Sequence, residues 1–136
     1  MFMLNELLIK DLSNQVDTNT SDIQVIKDGE IYSTSEVKTN KIWIDGKPIY
    51  RKTVSGSIAN SISHNLTNVN FVNAYGYVVS SSGAFLVLPS LRITNNNFSI
   101  GFYVNSETII FEKGSSASGT AYITLEYTKT TDKTSQ

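Results

Sequence analysis

The stretch TAYITLEYTK, residues 120–129, alternates without a break. Ala121, Ile123, Leu125 and Tyr127 fall on one side of an extended chain, and Tyr122, Thr124, Glu126 and Thr128 fall on the other. Successive side chains of a strand point to opposite faces, so this period of two predicts a strand with one buried face. Its β-branched and aromatic residues suit a pleated surface. The same chemistry recurs upstream. KIWID (41–45), PIYRKTV (48–54), NVNFV (68–72), YGYVVS (75–80), AFLVLP (84–89), LRIT (91–94), FSIGFYV (98–104) and TIIFEK (108–113) are separated largely by Gly, Ser and Asn. In FSIGFYV, Phe98, Ile100, Phe102 and Val104 share one face. Seven or eight strands drawn from these nine segments, at about 10-residue spacing, predict an antiparallel sandwich or barrel.

The first two segments flank Asp45-Gly46-Lys47, which reads as a hairpin with Gly46 supplying the positive φ of the turn. Pro48 lacks an N–H and belongs at a strand start or on an edge.

Before residue 30 the period changes. Ile9, Val16 and Ile23 are seven apart, and Leu12, Asn19 and Ile26 repeat the spacing three residues later. This is an a/d heptad pattern, and Phe2 and Asn5 extend it by one heptad. Gly29 just after the last periodic residue, with Lys27 in the last turn, is a helix stop. The intervening Asn, Thr, Ser and Asp are poor helix formers, so the helix needs a partner. It can pack on the sheet of its own chain, or on copies of itself. A narrow a/d stripe suits another helix better than a flat sheet. β-branched residues at a fit a dimer with Leu at d, but Ile26 at d pushes toward three strands, and Asn19 is a polar layer that sets register. The favoured arrangement is a parallel homotrimer whose seam is Ile9, Leu12, Val16, Asn19, Ile23 and Ile26.

The expected organisation is a coiled-coil trimerisation stalk over 1–29, a polar neck over 30–40, an antiparallel β-sandwich head over 41–131 and a frayed tail over 132–136. The fold class is mainly β.

The 136 residues carry a formal charge of −1 and no long basic run, which argues against nucleic acid or an anionic membrane as partner. Without Cys there is neither a disulfide nor a thiolate metal site. No run of about 18 apolar residues exists, so no membrane insertion is expected. MFMLNELLIK lacks the basic start and small-residue cleavage site of a signal peptide. From Val54 to Ser106 the only formal charge is Arg92. A stretch so poor in charge suggests core or subunit interface.

Two motifs resemble a known family. TNKIWIDGKPIYRKTV (39–54) and AYITLEYTKTTD (121–132), with SISHNLTNVNFV (61–72) between them, look like the C-terminal head domains of bacteriophage tail-fibre and receptor-binding proteins of siphophages and prophages. The resemblance covers roughly residues 31–132 and makes the heptad helix the stalk. It implies a homotrimeric virion protein, assembled in the host cytoplasm beside other tail or baseplate proteins, with a head that attaches to the host surface. The short stalk implies a small accessory fibre or the C-terminal part of a longer one.

No catalytic constellation is visible. His64 is the single histidine, and in SISHNL it reads as a hydrogen-bonded structural residue. HExxH and calcium-loop spacings are absent, so no metal or cofactor is expected. Glu107 and Glu112 differ by five and would lie on opposite faces of one strand, which does not make a glycosidase pair. Binding of a host cell-wall or surface saccharide fits better, since aromatic faces and amides hold sugars. The Trp43 hairpin follows the neck and belongs at the stalk end. The candidate receptor residues are therefore Tyr75, Tyr77, Arg92, Asn95, Asn96 and Asn97, and Arg92 could instead pair with Glu107. The competing expectations are a trimerisation or connector module with no receptor site and an enzyme acting on wall polymer.

Overall fold

A computed structural model describes residues 2–134. In chain order they form a helix α1 (Phe2–Asp28) and eight strands: β1 (Val37–Ile42), β2 (Pro48–Ser57), β3 (Ile62–Ser63), β4 (Val69–Ser80), β5 (Phe85–Val87), β6 (Ile100–Val104), β7 (Thr108–Lys113) and β8 (Gly119–Lys129). One sheet has the order β1-β2-β8-β4-β5 and the other β3-β7-β6, and every pairing is antiparallel. The protein is thus mainly β with one helix. The stretch 120–129 lies in β8, the central strand of the larger sheet. Its inward residues Ala121, Ile123, Leu125 and Tyr127 meet Val78 of β4, Ile100 of β6 and Ile109 of β7 in one core shared by both sheets.

The other face of β8 is not simply solvated. Thr124, Glu126 and Thr128 are buried as well. Arg51 of β2 and Asn73 of β4 flank Glu126 in register, and Thr53 and Tyr75 flank Thr124. Tyr32 lies under the Arg51 guanidinium, 4.1 Å from ring centroid to Cζ, and its hydroxyl is 3.3 Å from that of Tyr75. The neck therefore bridges β8 from one neighbouring strand to the other. A buried carboxylate needs partners, and Asn73 Nδ2 donates to Glu126 Oε1 at 3.3 Å.

The hairpin forms at Asp45-Gly46, with Gly46 at φ +84° and Pro48 opening β2. Its first strand sits earlier than KIWID: β1 begins at Val37, inside the stretch expected as neck, and Trp43 and Ile44 fall in the turn. NVNFV and YGYVVS are not two strands but one, β4, which runs the length of β8 and absorbs its irregular register in a bulge between Phe71 and Asn73. LRIT is not a strand. After the single bridge Ser90↔Ile100 the chain leaves the sheet, and Leu91 and Ile93 are 77% and 97% exposed. β-propensity without a free ladder beside it yields no strand.

Helix α1 stops where Gly29 follows it, and Asn40 Nδ2 donates to the Ile26 carbonyl at 2.8 Å. All side chains from Leu4 to Asp28 are exposed. Only the last turn of the helix touches β1, and its heptad stripe is not covered by the sheet of its own chain. The heptad position at Phe2 lies outside the described side chains. The tail is anchored rather than frayed over its described part: Tyr50 donates to Asp132 at 2.6 Å and Thr134 Oγ1 lies 3.4 Å from the Asp45 carbonyl. Residues 135–136 lie outside the described residues.

Candidate functional site

At the end of the larger sheet where β8 begins, the β4–β5 turn, the β7–β8 loop and the segment after Ser90 converge. They enclose a cavity of about 390 Å³. The turn contributes Ser80, Ser81 and Ser82, and the loop contributes Ser116 and Ser118. Arg92 and Phe98 form a wall, over a floor that includes Leu86 and Ile100. The turn is tight because Ser80 Oγ accepts from Ala84 N at 3.0 Å and Gly83 adopts φ +90°. Two hydroxyl pairs order the rim: Ser80 with Ser82 at 2.9 Å, and Ser81 with Ser118 at 2.8 Å across the two loops. The Arg92 amide donates to Ser99 Oγ at 2.9 Å, which holds that segment beside β6.

Neck and cavity lie at different ends of β8. Arg51 Nη2 donates to the neck carbonyls of Gly29 and Ile31, level with Glu126. The Ser80 turn is level with Gly119. Seven residues of strand separate these levels, roughly 23 Å at ~3.3 Å per residue. At the neck end, Glu36 accepts from Tyr127 at 2.6 Å and pairs with Lys129. Burial, followed by the bonds to Glu36 and Tyr32 respectively, raises the pKa of Tyr127 and Tyr75 well above the usual phenol value. Burial first, then the bond to Asp132, pushes Tyr50 up to about 12.

The six residues expected as a receptor site separate into three places. Arg92 lines the cavity. Asn95 caps a short 3-10 turn, Asn96–Phe98, and the three asparagines support the cavity without lining it. Asn95 Oδ1 accepts from the Asn97 amide at 3.1 Å, and the Asn97 carbonyl accepts from Ser116 N at 3.0 Å. Gly114 makes that approach possible, since a Cβ there would lie 2.3 Å from the Asn96 carbonyl oxygen. Tyr77 stands on the outer face of the larger sheet, 5.1 Å from Tyr122 and 4.6 Å from Phe85, ring to ring. Tyr75 is occupied by the neck contact and also borders a second, more open cleft of about 580 Å³ with Asn73, Tyr103 and Glu112. Arg92 makes no ion pair with Glu107; among the described residues the ion pair within 4 Å is Lys129–Glu36.

His64 is fully buried, with Nε2 2.9 Å from the Asn105 carbonyl and Nδ1 accepting from Leu66 N at 3.1 Å. The second bond fixes the proton on Nε2. This is the structural role expected for it. Among the described residues no three His, Cys, Asp or Glu side chains gather as metal ligands, and no helix is long and apolar enough to cross a membrane.

The cavity serines were not singled out from the sequence. A signal existed: SSSG at 80–83 and GSSASG at 114–119 are two serine clusters next to glycine. Only folding brings them together. Comparison of the chain with family models, curated proteins and solved structures returned no match.

Proposed function

We propose that this protein is a non-catalytic, homotrimeric tail-fibre head that attaches a bacteriophage virion to a saccharide on the host cell surface. The observation that carries the reading is the opposition of two surfaces. At one end a 27-residue helix leaves its whole apolar seam uncovered. About 23 Å from the neck, a hydroxyl-rich cavity opens at the other end of β8. In a parallel coiled coil Ile9, Leu12, Val16, Asn19, Ile23 and Ile26 close the seam, and three β-sandwich heads present their cavities away from the stalk. Serine hydroxyls donate and accept, as a sugar's hydroxyls require, and the Phe98 ring offers a face for its C–H surface. The resemblance of residues 39–54 and 121–132 to phage receptor-binding heads supports the same assignment. It implies assembly in the host cytoplasm and a place in the tail beside other tail or baseplate proteins.

The test is binding of the fluorescently tagged protein to host cells and to purified wall polysaccharide. Saturable binding by a trimer supports attachment. A second reading is a connector module with no receptor site, and one observation favours it: Tyr77, Phe85 and Tyr122 form an aromatic patch on the outer sheet face, suited to contact with protein. An intact trimer that binds neither cells nor polysaccharide is the outcome that selects this reading. Release of reducing sugar would refute both.

A further inference from the structure

We infer that the distal cavity selects an acidic saccharide: a sugar or polyol unit carrying a phosphate or carboxylate group, with Arg92 as the residue that reads the charge. The inference rests on the reading of this cavity as a saccharide site and names the class of saccharide.

Five serine hydroxyls are sufficient to recognise a neutral polyol, because each can donate or accept. A guanidinium cannot accept. It is a fixed cation whose planar fork matches the paired oxygens of a carboxylate or phosphate. No carboxylate lines the cavity with it. Arg92 is absent from the ion pairs of the described residues, and it is the one formal charge between Val54 and Ser106. Within the cavity lining its charge is therefore unopposed by a carboxylate. Leu86, Ile100 and Ala117 line the same cavity, and apolar walls strengthen an electrostatic contact relative to open water. The Ser99 hydroxyl and the Ser90↔Ile100 bridge hold the backbone from which Arg92 reaches the rim. Beside it, Phe98 is 43% exposed and free to stack on the ring of the bound unit.

The second cleft differs in sign. Glu112 lines it and no cation does, so it gives an acidic ligand no reason to bind there.

The test is an NMR titration of the intact protein with glucose, glucose 6-phosphate and glucuronate. Amides of Ser80–Ala84 and Ser116–Ser118, and the Arg92 side-chain N–H, report the cavity. At least one acidic sugar is expected to bind about tenfold or more tightly than glucose, the worth of one charge-assisted contact. The preference should shrink as salt rises. Arg92→Gln should abolish the preference, bringing the acidic sugars to the affinity that the variant has for glucose. Response to both acids identifies a general anion site; response to one alone identifies a phosphate-bearing or a uronic ligand. Equal affinity for glucose and both acids, a preference that survives Arg92→Gln, or shifts centred on Tyr75 and Tyr103 would overturn the inference. Host-cell adsorption, measured separately, keeps the two readings apart. Adsorption without acid preference refutes this inference alone. Acid-selective binding in the cavity without adsorption refutes host attachment and leaves the cavity chemistry standing.

Discussion

Replacing Val16 with Asp is the sharpest perturbation of the proposed assembly. In the single chain Ile9, Leu12, Val16, Ile23 and Ile26 are 52–68% exposed. Full burial of an aliphatic side chain is worth about 1.5–3 kcal/mol, so roughly half of that remains to be gained at each position. Five such positions in each of three chains amount to roughly 15–20 kcal/mol gross. Two successive associations each cost about 4–15 kcal/mol, a sum comparable with that gain, so in the proposed trimer the margin of association would be narrow. Val16→Asp removes one apolar layer, roughly 3–4 kcal/mol over three chains. It also sets three carboxylates around one axis, at several kcal/mol of desolvation per ion plus mutual repulsion. The combined loss is on the order of 10 kcal/mol, and each 1.4 kcal/mol is a factor of ten in an equilibrium constant. Sedimentation velocity at micromolar concentration reads the result directly. The natural chain, at 15.0 kDa per copy, should sediment as three copies, roughly 45 kDa, and the variant as one. Ser21→Asp lies at the outward f position of the same heptads and should remain trimeric, which separates loss of the seam from loss of the helix. A monomeric natural chain, or a Val16→Asp chain that stays trimeric, would refute the reasoning.

Four further outcomes are expected. In the proposed trimer Asn19→Ile would replace a polar layer of the seam with an apolar one, and it should raise the melting temperature by several degrees by calorimetry, with some loss of register specificity. His64→Ala should destabilise the head by about 2–4 kcal/mol in denaturant, since it leaves a cavity and two broken hydrogen bonds in a fully buried site. Cell adsorption per folded trimer should be unchanged. The tyrosines supply a pH signature. Tyr50, Tyr75 and Tyr127 hold their protons more tightly folded than unfolded, so their contribution is fully present below the ordinary value of 10.0. It is lost as pH rises from about 10 through about 12 for Tyr50, and higher for the other two. Absorbance at 295 nm should show part of the phenol signal appearing only with alkaline unfolding. Gly114→Val forces a side chain into the Asn96–Asn97 backbone, and it should shift the Ser116–Ser118 amides in NMR spectra and weaken sugar binding several-fold with the trimer intact.

Local period and turn chemistry were sufficient for much of this architecture. The alternation of residues 120–129 specified a strand and its core face, because a period of two can bury only one set of side chains. Asp45-Gly46 specified a hairpin through its positive φ, and the heptads followed by Gly29 specified a helix and its end. What these signals lack is the identity of the neighbour. The segments 68–72 and 75–80 became one strand because β8 offered a ladder long enough for both. LRIT, with equal propensity, had no ladder and became a loop. The polar face of β8 was buried because Tyr32, nearly a hundred positions earlier, reached Arg51 on one side and Tyr75 on the other. The candidate site divides in the same way. Arg92 was legible as a lone charge in a neutral stretch. The serines were not, because Ser81 and Ser118 are separated by 37 residues and acquire chemical meaning only when two loops close on each other. Sequence determines what each segment can be, through forces acting within a few residues. The tertiary structure decides which faces are covered and which hydroxyls converge, because burial is a property of pairs of segments distant along the chain.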